Sequence, residues 1–153
     1  MGNIIKLTSG QDLTPDMYNS NQNGIPYITG ASNIEKGKVI INRWTNKGRA
    51  FAHRGNLLLT CKGTIGTMAI LTEEKVHIAR QIMSIDTYSQ INIGYVKIFL
   101  ESYINTLKYK AKSMIPGISR EDVLNTLFPL PSIKEQQRIV DKINQLLPEI
   151  SKL

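Results

Sequence analysis

A stripe of branched aliphatic residues near the end of the chain sets the strongest constraint on its fold. After Pro129 and Pro131, Ile133, Val140 and Leu147 recur at every seventh position, and Ile143 and Ile150 stand three after the last two. Gln136 takes the matching earlier place, and Ile139, Leu146 and Leu153 widen the stripe. The spacing is that of an amphipathic helix and resembles the start of a coiled-coil seam. Fewer than three heptads are present, so the pattern by itself fits equally a helix packed on its own domain. A seam that follows a Pro-x-Pro break and runs to the last residue is expected to need a partner to cover it. Ser132 and Glu135 have capping-box spacing at its start.

A second helical period lies upstream. Val96, Phe99, Leu100, Tyr103, Ile104, Leu107 and Ala111 form one apolar face, with Lys97, Glu101, Lys108 and Lys112 off it. The cluster Lys108, Lys110 and Lys112 suits a helix C-terminus, where the backbone dipole favours cations. A loop at Pro116-Gly117 follows, then a short segment whose Ser119 and Asp122 again have capping-box spacing.

The first half reads as short strands. Ile4–Thr8 is ended by Ser9-Gly10, Ile25–Thr29 and Lys38–Asn42 are rich in β-branched residues and bounded by glycine, and Met68–Thr72 and Ile78–Ile85 complete the set. Leu57–Cys61 is a continuous apolar run, as expected of a strand buried on both faces. Pro15 suits the first position of a short helix, and Asn19 to Gly24 is a polar loop. Strands followed by helices make an α+β chain. At 153 residues one domain is expected, 1–131, with the C-terminal helix, 132–153, set apart from it.

Charge narrows the partners. The net charge of +7 is uneven: Lys36, Lys38, Arg43, Lys47, Arg49, Arg54 and Lys62 fall in one window that holds no acidic residue. Trp44, Phe51, Asn42 and Asn46 lie among them. Cations neutralise phosphates and release counterions, and Arg and Asn can read base edges in pairs of hydrogen bonds. A solvated face can carry the same run, and Trp44 by itself fits a core residue better than a stacking platform.

Catalytic patterns are sparse. One cysteine, Cys61, cannot form an internal disulfide, and with His53 and His77 it cannot complete a four-ligand zinc site. Gly63-Thr64-Ile65-Gly66 lacks the Lys of a phosphate loop and reads as a tight turn. Glu73-Glu74 falls in an expected hairpin turn, and no catalytic residue, metal site or cofactor is expected. Met1-Gly2 opens like a myristoylation site, but position 6 is Lys6. With no secretory h-region and no apolar run long enough to span a bilayer, the expected place is the cytoplasm, away from membranes.

Several segments in order carry a family resemblance. They are Ile25-Pro26-Tyr27-Ile28-Thr29-Gly30-Ala31-Ser32-Asn33-Ile34, then Gly55 to Gly66, then Ala79-Arg80-Gln81-Ile82-Met83. The most specific is Ile118-Ser119-Arg120-Glu121-Asp122 through Phe128-Pro129-Leu130-Pro131 to Glu135-Gln136-Gln137-Arg138-Ile139-Val140. Together they resemble the target-recognition domain of type I restriction–modification DNA specificity subunits, followed by the start of the spacer helix. The resemblance implies a small, curved, mostly antiparallel sheet flanked by helices, and then the coiled-coil-like helix. It implies a non-catalytic role: reading one half of a bipartite double-stranded DNA target while docking methyltransferase subunits and, in the full complex, restriction subunits. A full subunit carries two such domains and two helices, so this chain is expected to be either a half-subunit that pairs with a copy of itself or a fragment. A symmetric pair should read a palindromic bipartite site.

The expected DNA contacts follow from both readings. Charge selects Arg43, Asn46, Lys47 and Arg49; the resemblance adds Lys62, Gly63 and Thr64 at the glycine turn, with Thr29 and Ser32. Arg and Asn would meet base edges, and Lys and Thr phosphates. Ile133, Val140, Ile143, Leu147 and Ile150 are the expected partner face. Two other classes compete: a small DNA nuclease or the recognition fragment of a fused restriction–methylation enzyme, and a generic basic RNA-binding protein that prefers single strands.

Overall fold

In the computed structural model, which describes residues 1–110 and 117–153, the buried run at Leu57 is the middle of three layers. Leu57, Leu58 and Leu59 are all fully buried. Side chains alternate across a strand, so Leu57 and Leu59 face the helices while Leu58 faces a second sheet. Each such leucine contributes about 1.5–3 kcal/mol by leaving water.

The first sheet has the order β1 (Ile5–Ser9), β10 (Ile82–Thr87), β7 (Leu57–Thr60), β8 (Met68–Ile70), antiparallel throughout. The second runs β5 (Trp44–Thr45), β2 (Ile25–Ile28), β9 (Lys75–Ile78), β6 (Phe51–His53), and only its β2–β9 pair is parallel. A separate hairpin joins β3 (Ile34–Glu35) to β4 (Lys38–Val39). The helices are α1 (Ile93–Lys110), α2 (Arg120–Leu124) and α3 (Ile133–Ile150). Val96, Leu100 and Leu107 of α1 cover Leu57, Leu59, Met83 and Ile85, while Ile28, Val76 and Ile78 close the other core against Leu58 and Ile82. The fold is α+β with mostly antiparallel sheet and a C-terminal helix, as expected, but the strands divide between two sheets and a hairpin.

That division explains the differences in detail. Ile78–Ile85 is not one strand, because Ile78 ends a strand of the second sheet and Ile82 begins one of the first. Ala79-Arg80-Gln81 turns the chain between them, closed by the Ile82 N–H donating to the Ala79 carbonyl at 2.9 Å. Glu73-Glu74 is a turn, but it links two sheets and makes no hairpin. The strand expected at Lys38–Asn42 stops at Val39, and the Ile40 carbonyl instead accepts from the Asn33 side chain at 2.9 Å. Ala111, Lys112 and Pro116 lie outside the described residues.

Both caps fall where their spacing puts them. Ser119 and Asp122 make the full reciprocal capping box of α2. Ser132 accepts from the Glu135 N–H at 3.3 Å, but the Glu135 carboxylate is drawn to Arg138 and leaves the return bond unmade. Gln136 is the only buried residue of α3. Its Oε1 accepts the Asn92 N–H at 2.9 Å, and its Nε2 donates to the carbonyls of Pro131 and Gln90 at 2.9 and 3.3 Å. Asn92 in turn caps α1, its Oδ1 accepting from Gly94 and Tyr95.

Candidate nucleic-acid interface

All seven basic residues between Lys36 and Lys62 are exposed, and among the described residues none is in an ion pair. Their cations therefore face water with little to neutralise them. Acidic neighbours are few: Glu35 stands opposite Lys38 across the β3–β4 pair, and Lys47 stands within electrostatic reach of Asp16. Arg43 lies over the Tyr18 ring, its Cζ 5.1 Å from the centroid, a cation–π arrangement.

The sheets sort the expected contact residues into two groups. β5 runs antiparallel to β2 with Thr45 opposite Ile25, so Asn46 and Lys47 emerge at the start of β2. There Asn46 Nδ2 donates to Asn23 Oδ1 at 2.9 Å. Asn19 braces the same loop, its Oδ1 accepting the N–H groups of Asn21 and Asn23. Arg43 belongs to this group through the adjacent strand, its carbonyl accepting from Tyr27. Arg49 closes the loop beside β9, where its N–H donates to His77 Nδ1 at 3.0 Å.

The second group gathers at the opposite end of β2. β2 and β9 are parallel, so Thr29 to Ser32 and Arg80-Gln81 leave the sheet side by side. β7 ends opposite Ile82, which brings Lys62, Gly63 and Thr64 to the same place. Gln81 lies between the two loops: its Oε1 fills the space where a side chain on Gly30 would stand, and a Cβ on Gly63 would meet it at 3.6 Å. Gly63 has φ +72°, a conformation natural to glycine, and the Gly63–Gly66 segment is the expected tight turn, joining the paired strands β7 and β8. Thr29 is not free, because its N–H and hydroxyl both donate to Asn33 Oδ1 at 2.9 and 2.8 Å. Ser32, Lys62, Gly63 and Thr64 are exposed.

A cleft of about 250 Å³ adjoins this second group, lined by Lys62, Arg80, Arg120, Ser9 and Ser119. Two of its cations are fixed in place. Arg80 Nε pairs with Asp12 at 2.9 Å, and Arg120 donates to the Leu7 carbonyl and Ser9 Oγ at 3.0 and 3.1 Å. Arg80, Gln81 and Arg120 were not among the expected contacts. The signal for the first two was a polar pair interrupting an otherwise apolar stretch, Ile78-Ala79 and Ile82-Met83. Cys61 also borders the cleft, but burial pushes its thiol above the ordinary range, so it is a poor nucleophile. Among the described residues no three His, Cys, Asp or Glu side chains are grouped to hold a metal, and no helix is long and apolar enough to cross a membrane.

The expected partner face of α3 divides along its length. Val140 and Ile143 are half-buried, and Val140 meets Gly94 of α1. Ile133, Leu147 and Ile150 are exposed, with Leu146 and Leu153 beside the last two. The first turns thus pack on the domain and the last turns hold apolar side chains in water.

Comparison with known proteins agrees with this architecture. The family model of the type I restriction modification DNA specificity domain matches residues 2–152. The specificity subunit of the type I restriction enzyme EcoBI from Escherichia coli is 31% identical over 103 residues, which are 64% of this chain and 22% of that protein. The crystal structure of the HsdS subunit from Thermoanaerobacter tengcongensis superimposes with a TM-score of 0.87 at 19% identity, covering 99% of this chain and 37% of that one. A chain from a structural study of complex assembly and conformational transition in the type I R-M system gives a TM-score of 0.88 at 20% identity, covering 99% and 38%. This chain therefore spans about a fifth of the curated relative and under two fifths of the solved chains.

Proposed function

From the premise that this chain belongs to the type I restriction modification DNA specificity domain family, we propose that it reads one half of a bipartite sequence in double-stranded DNA. The observation that carries the reading is the set of exposed, unpaired cations on loops that also present Asn, Gln, Ser and Thr side chains. Cations on rigid loops supply phosphate affinity, and the amides and arginines beside them supply base-edge hydrogen bonds. Arg43, Asn46 and Arg49 are the candidates for base edges; Lys47, Lys62, Thr64 and Ser32 are candidates for the backbone, joined by Arg80 and Arg120. Gly63 and Thr29 shape the turns that present them.

In this reading the domain itself has no catalytic role. It acts in the cytoplasm, and chemistry comes from a methyltransferase subunit, and in the full complex a restriction subunit, that it holds against the DNA. The exposed end of α3 supports a helical partner, either a second copy of the chain or a methyltransferase surface. A two-fold pair would read inverted half-sites at fixed spacing.

Selection from a randomised duplex pool at two salt concentrations tests the reading. A short recovered motif, or two inverted copies at constant spacing, is the expected result. Recovery of a salt-sensitive pool with no motif, or of single strands in preference to duplex, would overturn sequence reading by this chain.

A further inference from the structure

His77 is fully buried in β9, between the Tyr27 ring at 5.2 Å and the Phe51 ring at 6.4 Å. Its two nitrogens have different partners. Nε2 lies 2.7 Å from the Gln11 carbonyl, which can only accept, so this nitrogen carries the proton. Nδ1 is then the acceptor, and two backbone donors converge on it: the Arg49 N–H at 3.0 Å and the Ala50 N–H at 3.2 Å. Both donors end the basic loop that carries Asn46 and Lys47. Only a neutral ring in this one tautomer can satisfy the Gln11 carbonyl and both amides at once.

We propose that His77 is a positioning residue for the DNA-facing loop: its Nδ1 fixes the backbone at Arg49 and Ala50 and so sets where the side chains of Lys47 and Arg49 stand. The assignment rests on the reading of that loop as a DNA contact. It also makes the loop sensitive to acid. A proton added to Nδ1 turns the acceptor into a donor and sets three N–H groups against one another, so the ring would have to release the loop. The groups that face the ring offer limited help to a charged imidazole. Asp12 on the preceding segment favours it, while Arg49 opposes it. Tyr27 on β2 is held neutral, with Tyr18 against it, and Lys75 on β9 lies over the far Phe51 ring at 4.0 Å.

Two substitutions separate positioning from mere filling of the core. His77→Asn places an amide oxygen near Nδ1 and keeps the acceptor for the loop; His77→Gln places an amide N–H near Nε2 and keeps only the bond to Gln11. Amide-exchange protection by NMR in the 153-residue chain, with duplex affinity across pH 5 to 8, reads both. In the wild type, Arg49 and Ala50 should be protected and Nε2 protonated. His77→Gln should lower their protection and the affinity for the selected duplex by about tenfold, and His77→Asn should retain both and lose the acid dependence. Equal loss in both variants, or a wild-type ring protonated at Nδ1, would overturn the proposal. If the protection pattern holds but the wild type selects no duplex motif, the positioning stands and the DNA reading of the loop fails.

Discussion

The Asn92 N–H donates to Gln136 Oε1 at 2.9 Å, tying the cap of α1 to the one buried residue of α3. The bond explains a polar residue within an otherwise aliphatic stripe. The Gln136 amide meets one donor and two acceptors, and Gln137 adds a bond from Asn92 Nδ2 at 2.7 Å. Replacement by leucine would keep the volume but remove the partner of the half-buried Asn92 N–H and of the Pro131 and Gln90 carbonyls, at about 1 kcal/mol for each bond lost. Gln136→Leu should therefore lower the urea midpoint clearly despite its greater hydrophobicity. Gln136→Glu should be worse at neutral pH, since an anion would face the Gln90 and Pro131 carbonyls. Its buried carboxyl should hold a proton more tightly than in the unfolded chain, so that deficit should shrink as pH falls. A leucine variant as stable as the wild type would dismiss the clamp.

Burial holds the His77 ring below the ordinary histidine range, against the opposing pull of its bond to Gln11. A depressed value means that the unfolded chain takes up a proton first, near pH 6.5. Stability should then fall as pH drops below about 6.5 and level off once the folded ring also titrates. The check is a series of denaturant titrations from pH 8 to 5. The His77→Asn chain should lack this segment of the slope, and an unchanged slope would assign it to other groups.

Gly10 sits where β1 passes the turn between the two sheets. Its N–H donates to Ile82 at 3.0 Å and the next residue donates to Ile78, so one backbone clasps both ends of that turn. A Cβ at Gly10 would run into the Ala79 carbonyl. Gly10→Ala should cost about 3 kcal/mol, because the obstacle is backbone and cannot rotate away. Gly37→Ala, in open space on the β3–β4 turn but at φ +74°, should cost about 1 kcal/mol, a control that isolates conformational strain. Thermal melts of the two variants give the comparison.

Much of this was written locally. The Leu57–Leu59 run, the two capping serines and the helical periods each carry their own signal, so β7, α1, α2 and α3 are legible before any tertiary contact. Trp44–Thr45 and Phe51–His53 are not, since strands of two and three residues are held by their neighbours in the sheet and have no alternation long enough to read. The break at Ala79-Arg80-Gln81 has no glycine or proline to announce it; it arises because the strands on either side join different sheets. The candidate interface follows the same rule. The basic window and the glycine turn stand out by composition, but their separation by the length of β2, and the approach of Gly30 and Gly63 to Gln81, depend on the parallel β2–β9 pair. Gln136 was visible as an irregularity in the stripe, and its reason lay some forty residues away in sequence.

If the loops meet DNA as proposed, the two groups should respond differently. Lys62→Gln and Arg120→Gln should weaken binding about equally on every duplex, each lowering the slope of log affinity against log salt by about 1. Arg49→Ala should cost about 1–3 kcal/mol on the selected sequence and relax preference at one position. Equilibrium binding to a selected and a scrambled duplex at several salt concentrations distinguishes them. A uniform loss for Arg49→Ala would reassign that residue to the phosphates.

The last turns of α3 offer a cleaner test of partnership than its middle. Val140 meets Gly94 of α1, so Val140→Asp would disturb the domain and any association together. Leu147 and Ile150 are 54% and 59% exposed, so a charge placed there stays largely in water. Leu147→Asp and Ile150→Asp should leave the circular dichroism spectrum and melting temperature near those of the wild type. Each should weaken self-association at least tenfold in analytical ultracentrifugation, because burying an unpaired carboxylate in an apolar seam costs far more than the leucine or isoleucine contributed. A wild-type chain that stays monomeric at high concentration would rule out self-pairing through this helix and turn the test to a methyltransferase surface. A variant that melts early would show that the exposed residues serve the domain's own stability.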